Sequence, residues 1–410
     1  MCTVSDIFNE DELQEEIDFF ISTLMGRVLG DYALKSAPKD GSIEAALDAY
    51  TKEKLLKLAV ENGLTVQRKW KKAKLVEVLS EGLMDSLEAR FLISQKRALT
   101  LLQYMADGKF DLVGYDFERI EFLMTVFESA VRMGIIYVSE EAENVVMDMP
   151  IPIKEKLDEV LAEFEDFEAA YENEFDLLDE MNVVLTAGVN LYGVLTVGKF
   201  YDLWKIRHPF QDVAQITESY DKFEKYLPLL IIRNGYYFVD GNIIANPMFD
   251  NDEDVLDFYQ YRTYKMGYSY YMPSKEEILY YSQNEFNRET HSYKQLQLEA
   301  AKMTEDFEMV MQMVESHILL GDDVTGLFMY MADMGVMDFE FKADLAKFVN
   351  VYNTVKQNTR LWENAGFTPT EMIEMGIGTL GMMNEVSNYL EDDDFDDFDS
   401  DNIISLDDFR

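Results

Sequence analysis

The sequence predicts a mainly α-helical protein of several domains, and three observations lead there. At 410 residues the chain is too long for one ordinary core. Apolar residues recur at helical spacing through most of it, and strand-and-turn signatures are confined to two short hairpins. Apolar residues make up 48% of the chain and aromatics 13%, enough to build cores along most of its length.

In chain order, residues 8–30 set Leu13, Ile17, Phe20 and Leu24 at helical spacing, and "KSAPKDGS" (35–42) is a turn-rich linker. Thr51 can cap a helix through "KEKLLKLAVE" with Leu55, Leu58 and Ala59 on one face. "NG" at 62–63 stops that helix, because glycine tolerates the left-handed position after a helix end. "LTVQRKW" crosses over extended, and "KKAKLVEVLSEGL" forms a second helix with Leu75, Val78 and Leu79 facing inward.

This short fold is also the one strongly basic place in a chain of net charge −43. From Thr51 to Lys74 there are eight basic residues (Lys52, Lys54, Lys57, Arg68, Lys69, Lys71, Lys72, Lys74) against Glu53 and Glu61, an island of +6. The pattern L-x-x-L-A-x-x-x-G-L-x-V followed by K-K-A-x-L-V-x-x-L, over residues 51–83, resembles the N-terminal module of transcription termination factor Rho and the related SAP motif. The resemblance implies a helix–extended-loop–helix that contacts nucleic acid through the loop and the start of its second helix. On this chain that points to Arg68, Lys69, Trp70, Lys71, Lys72 and Lys74, and to a process such as transcription or its termination. The chemistry agrees. Lys71 and Lys72 stand where first-turn amides and the helix dipole also favour a phosphate, and Trp70 could stack on a base. The plainer alternative stays open, with Trp70 covering a small core and the lysines forming a solvated face.

Beyond the island the order helix, helix, hairpin occurs twice. The first copy has helices at 94–108 and 117–133, then "GIIYVSEEAENVVMDMP" (134–150). The second runs "GVLTVGKFYDLWKIR" (193–207), a helix around 216–228, then "LIIRNGYYFVDGNIIANP" (230–247), whose "VDGN" is a strong two-residue hairpin signal. This is the order of a winged helix. Helix 117–133 carries Glu118, Glu121 and Glu128 against Arg119 and Arg132, so protein docking suits these units better than groove reading. From Pro273 onward helical patterning returns at 291–319, 323–336 and 341–357, and "PSKEEILYY" holds Ser274 and Glu277 at capping-box spacing. "NTRLWENAGFTPTEM" (358–372) resembles a segment of helical bacterial proteins that often end in a SEC-C zinc motif, a motif this chain lacks. The expected organisation is an N-terminal helical segment (1–40), a Rho-N/SAP-like module (45–85), winged-helix-like units (90–150 and 188–250) joined by a helix (151–187), a helical domain (273–388) and a disordered acidic tail (391–410).

No chemistry-bearing constellation matches its template. "GVLTVGKF" (193–200) needs Ser or Thr after Lys199 to be a P-loop and has Phe200 instead. His208, His291 and His317 are scattered, and "DNDED" (250–254) has Val255 where a calcium loop needs glycine, so it reads as a solvated loop. No cofactor, metal or catalytic set is implied, which points to a non-enzymatic protein. The lone Cys2, the acidic start and the lack of a long apolar run point to a cytoplasmic protein without a membrane segment. So acidic a chain attracts basic proteins, and a decoy that mimics DNA toward a nucleic-acid enzyme is the second expectation. In the tail, Phe395, Phe398, Ile403, Ile404, Leu406 and Phe409 alternate with acids, a composition suited to docking a basic groove with apolar pockets. Residues 391–410 hold ten acidic residues and one Arg, too much like charge for a core. Removing them is expected to leave the melting temperature, followed by circular dichroism, nearly unchanged; a large drop would make the tail a structural element.

Overall fold

The computed structural model describes residues 22–376, apart from 24, 108–116, 142–143, 210–212, 268, 303, 305–306, 335 and 337–341. The protein is mainly helical, with short antiparallel hairpins. Among the described residues no helix is long and apolar enough to cross a membrane. The described residues fall into two compact units, one within 22–182, 196–198 and 208–250, the other within 183–195, 199–207 and 251–376.

In the first unit, helices Lys52–Glu61 and Lys72–Asp85 flank a stretch without regular structure at 64–67. Thr51 caps the first by accepting from the Lys54 amide at 3.1 Å, and Leu55, Leu58 and Ala59 are buried. In the second, Leu75, Val76 and Leu79 are buried while Val78 is half-exposed, so the inward face is rotated by part of a turn from the expected one. A short helix, Ile43–Asp48, precedes both. It lies at the edge of the turn-rich stretch and starts because Ser42 accepts from the Ala45 amide at 3.2 Å.

Helices Leu87–Ala106 and Phe117–Arg132 come next, followed by a hairpin pairing Tyr137 with Asp148 through Glu141 with Asn144. The first of these helices begins well before residue 94 and is broken at Gln95, where φ is 62°. Residues 151–192 form three successive helices, because Glu163 and Tyr171 leave helical geometry between them. Helix Val213–Arg233 leads to a second hairpin, Tyr237–Val239 with Ile243–Ala245. Its turn has Asp240 and Gly241 both at positive φ (51° and 66°), the type I′ geometry that "DG" signals.

A buried polar network ties this unit together. Arg90, which is 1% exposed, donates from Nη1 to Asn62 Oδ1 at 2.5 Å and to the Met133 carbonyl at 2.6 Å, and from Nη2 to Ser86 Oγ at 2.9 Å. Asn62 donates in turn to the carbonyls of Leu58 and Arg132, both at 2.8 Å. Arg132 reaches the Tyr236 carbonyl at 2.7 Å and lies 3.7 Å from Glu61, which accepts from the Tyr32 hydroxyl at 2.6 Å. Burial lowers the Arg90 guanidinium to about 10. Burial also opposes the charge on Arg132, but Glu61, Tyr32 and Glu128 outweigh it and raise that group.

In the second unit, Trp362 is fully buried and donates from Nε1 to the Asn190 carbonyl at 2.9 Å. Arg262 donates to the carbonyls of Tyr192 (2.9 Å) and Val194 (2.5 Å), closing the end of the helix that finishes at Tyr192. The Ser274–Glu277 capping box forms, and a second one, Thr368 with Glu371, starts helix Pro369–Glu374.

Gly63 is constrained twice. Its φ is +68°, and an added Cβ would stand 2.7 Å from Pro228 Cγ. Gly63→Ala is expected to cost about 1–3 kcal/mol, read as a lowered midpoint in urea with unchanged slope. An unchanged midpoint would show that helix Lys52–Glu61 does not depend on this close approach.

Candidate nucleic-acid interface

The basic residues of 51–74 divide into two groups. Lys54 and Lys57 belong to the fold: Lys54 Nζ donates to the carbonyls of Leu29 (3.5 Å) and Ala33 (3.0 Å), and Lys57 Nζ to Asp31 at 2.6 Å. All three acceptors are on the segment around residues 25–34, so these lysines hold that segment to helix Lys52–Glu61.

The second group gathers between the helices. Residues 68–70 form a turn in which the Trp70 amide donates to the Gln67 carbonyl at 2.9 Å, and Lys71 is the N-cap of helix Lys72–Asp85 without a side-chain cap bond. Arg68, Lys69 and Lys71 are exposed, and among the described residues none has an ion-pair partner. Trp70 is half-buried between them. Lys74 is exposed but pairs with Glu77 at 2.9 Å, one turn along its own helix. Lys72 bonds the Asp48 carbonyl and lies 3.3 Å from the Asp48 carboxylate, which fastens helix Ile43–Asp48 to the start of helix Lys72–Asp85.

The six sequence-derived residues therefore share one short segment, with three of their cations unengaged and two engaged. An uncapped helix start, its first amides pointing outward, adds a fixed partial positive charge to the three unengaged cations. Sequence grouping missed Lys35, assigned to a linker. Its amide donates to the Ala49 carbonyl at 3.1 Å, which sets it beside the Asp48 that Lys72 holds, and only that tertiary hydrogen bond reveals it.

The other constellations have structural placements. Strand Val194–Thr196 passes directly into helix Val197–Arg207, leaving no loop to cradle phosphates, and Phe200 is fully buried. Lys199 sits 4.5 Å over the Tyr270 ring and 3.4 Å from Asp202. "DNDED" is not a loop: Asn251 accepts from the amides of Glu253 (2.9 Å) and Asp254 (3.0 Å), and the acids form the first turn of helix Asp252–Met266, where the dipole favours them. His208 lies 3.5 Å from Glu180, His317 bonds the Met313 carbonyl at 2.9 Å, and His291 is exposed at a helix start. Among the described residues no group of three or more His, Cys, Asp or Glu could hold a metal ion. The tail residues Phe395, Phe398, Ile403, Ile404, Leu406 and Phe409 lie outside the described residues.

No family model, curated protein or solved structure matches this chain.

The two groups of cations differ in a measurable way. Lys72→Gln removes a tie between two helices and is expected to lower stability by about 0.5–1.5 kcal/mol, whereas Lys71→Gln removes no bond and should stay within about 0.5 kcal/mol. Chemical denaturation of the two variants compares them, and equal losses would contradict the division.

Proposed function

We propose that this chain is a non-enzymatic, nucleic-acid-associated adaptor or regulator. A Rho-N/SAP-like module at residues 51–83 contacts the nucleic-acid backbone, and the acidic body binds protein, with transcription or its termination as the process the resemblance implies. One observation carries this: Arg68, Lys69 and Lys71 are exposed and, among the described residues, unpaired around Trp70 at a helix start, in a chain of net charge −43. Exposed lysines are common, but an acidic surface with many carboxylates in reach would normally neutralise some of them. The stretches 90–150 and 188–250 we read as winged-helix-like units that dock protein, because the second helix of the first carries three acids against two bases.

A DNA-mimicking decoy that binds a nucleic-acid enzyme, as in anti-defence systems, is the second reading, and a separate observation favours it. From Glu155 to Glu180 twelve acidic residues face a single lysine, and most of them are exposed along three successive helices.

The two readings part on binding by the intact protein at moderate salt. On the first, labelled single- or double-stranded nucleic acid is retained, with a salt slope of about three to five phosphates. The triple substitution Arg68→Gln, Lys69→Gln, Lys71→Gln should lower affinity at least tenfold with the melting temperature unchanged, since among the described residues none of the three has an ion-pair partner to lose. Affinity that survives the triple change would overturn the interface. Capture of a nucleic-acid enzyme, with no nucleic acid retained, would establish the decoy instead.

A further inference from the structure

Residues 33–35 are fixed on two sides. Ala33 forms a parallel bridge with Val138, Leu34 is buried and its amide donates to the Val138 carbonyl at 2.7 Å, and the Lys35 amide donates to the Ala49 carbonyl at 3.1 Å. Ala49 directly follows Asp48, whose carbonyl accepts from Lys72 Nζ and whose carboxylate lies 3.3 Å from the same ammonium. Lys35 and Lys72 thus grip successive carbonyls at the end of helix Ile43–Asp48, one through its backbone and one through its side chain. The Lys35 side chain is left exposed, with no ion-pair partner among the described residues. The Asp48 side chain is 53% exposed, so its carboxylate stands at the surface beside Lys72.

We infer that Lys35 is a further phosphate-contacting residue of the interface, and that Asp48 is a built-in anion competing with phosphate for Lys72. This rests on the nucleic-acid reading of residues 68–74 and extends it across a second segment of chain. The track then runs from Arg68 and Lys69 through Lys71 to Lys35, with Lys72 between them held by Asp48. A phosphodiester fits this track because it presents successive single negative charges that point cations can neutralise one at a time, releasing a counterion at each. Lys72 contributes less than its charge suggests, because the Asp48 side chain already occupies part of its hydrogen-bonding capacity.

The two residues have opposite signs, which gives the test its force. Each phosphate contact contributes about 0.7–0.9 to the slope of log affinity against log salt, or about five- to eightfold in affinity at 0.1 M salt. Lys35→Gln in the full-length chain should lower both by about that much, and Lys35→Glu should lower affinity further. Asp48→Asn keeps a polar partner for Lys72 and removes the competing charge, so affinity and slope should both rise.

The experiment titrates labelled single-stranded and duplex oligonucleotides against wild type, these variants and the Arg68/Lys69/Lys71 triple variant at several salt concentrations, with thermal melts confirming the fold. Loss with Lys35→Gln together with gain for Asp48→Asn supports the inference. An unchanged slope in both Lys35 variants overturns the role of Lys35, and unchanged or weaker binding by Asp48→Asn overturns the role of Asp48. If the triple variant loses binding while the new variants behave as wild type, this inference fails and the interface stands. If wild type retains neither oligonucleotide, both fall.

Discussion

The first unit depends on positive charge placed at helix C-termini. Helices Lys52–Glu61, Phe117–Arg132 and Val213–Arg233 each end in the same hydrogen-bond pattern around a glycine: Leu64 to Ala59 with Gly63 to Val60, Ile135 to Ala130 with Gly134 to Val131, and Tyr236 to Ile231 with Gly235 to Ile232. Such ends leave carbonyls exposed and carry the negative end of the helix dipole. Arg90 and Arg132 answer that need from inside. Arg90 binds the Met133 carbonyl and, through Asn62, the end of the first helix; Arg132 binds the Tyr236 carbonyl. Among the described residues no carboxylate bonds Arg90, so its charge is balanced by carbonyl dipoles, which explains why burial still pulls its pKa down. Removing such a group strands several buried acceptors at about 1–3 kcal/mol each, so this network outweighs any surface ion pair in the unit.

The same device recurs in the second unit with different residues. Arg262 closes the helix ending at Tyr192, and Lys356 donates to the Gly321 and Asp322 carbonyls beyond helix Phe307–Leu320. Trp362 adds a neutral donor to the Asn190 carbonyl, and Arg360 lies 3.3 Å from the Tyr271 ring centroid while pairing with Glu277 and Glu371. These contacts give the segment 358–372 a physical role: it supplies the indole and guanidinium that finish the ends and loops of its own unit. Its motif-like look follows from many specific contacts in few residues. In a chain with 36 basic and 79 acidic residues, each cation spent inside is one fewer to offset the surface.

That division explains what was legible in the sequence. Thr51, "NG" at 62–63, the Ser274–Glu277 box and "VDGN" could be read because their chemistry acts within four residues. Helix Ile43–Asp48 was hidden because its cap, Ser42, sits inside a string of turn formers, and the break at Gln95 has no proline or glycine to announce it. The basic island was visible as a count, but the count could not separate its members. Lys54 and Lys57 look like Lys69 and Lys71 until the segment at 25–34 packs against them, and Lys35 looks like linker until its amide meets Ala49. Charge is a local property in sequence and a tertiary one in function.

The remaining tension is between a +6 island and a chain of −43. Their ranges decide how they combine. At about 0.1 M salt the Debye length is about 10 Å, so most of the distant carboxylates are screened from a phosphate at residues 68–71, while contact-distance cations are not. Nearby acids are what matter, and the structure engages two of them, Asp48 with Lys72 and Glu77 with Lys74. Lowering the salt strengthens each contact but also extends the reach of the acidic surface, so the two effects oppose one another in a way they would not on a basic protein. On the proposed nucleic-acid reading, an acidic body would act as a filter on a small basic site: it would suppress loose, long-range association with any polyanion and leave only binding in which phosphates reach Arg68, Lys69 and Lys71 directly.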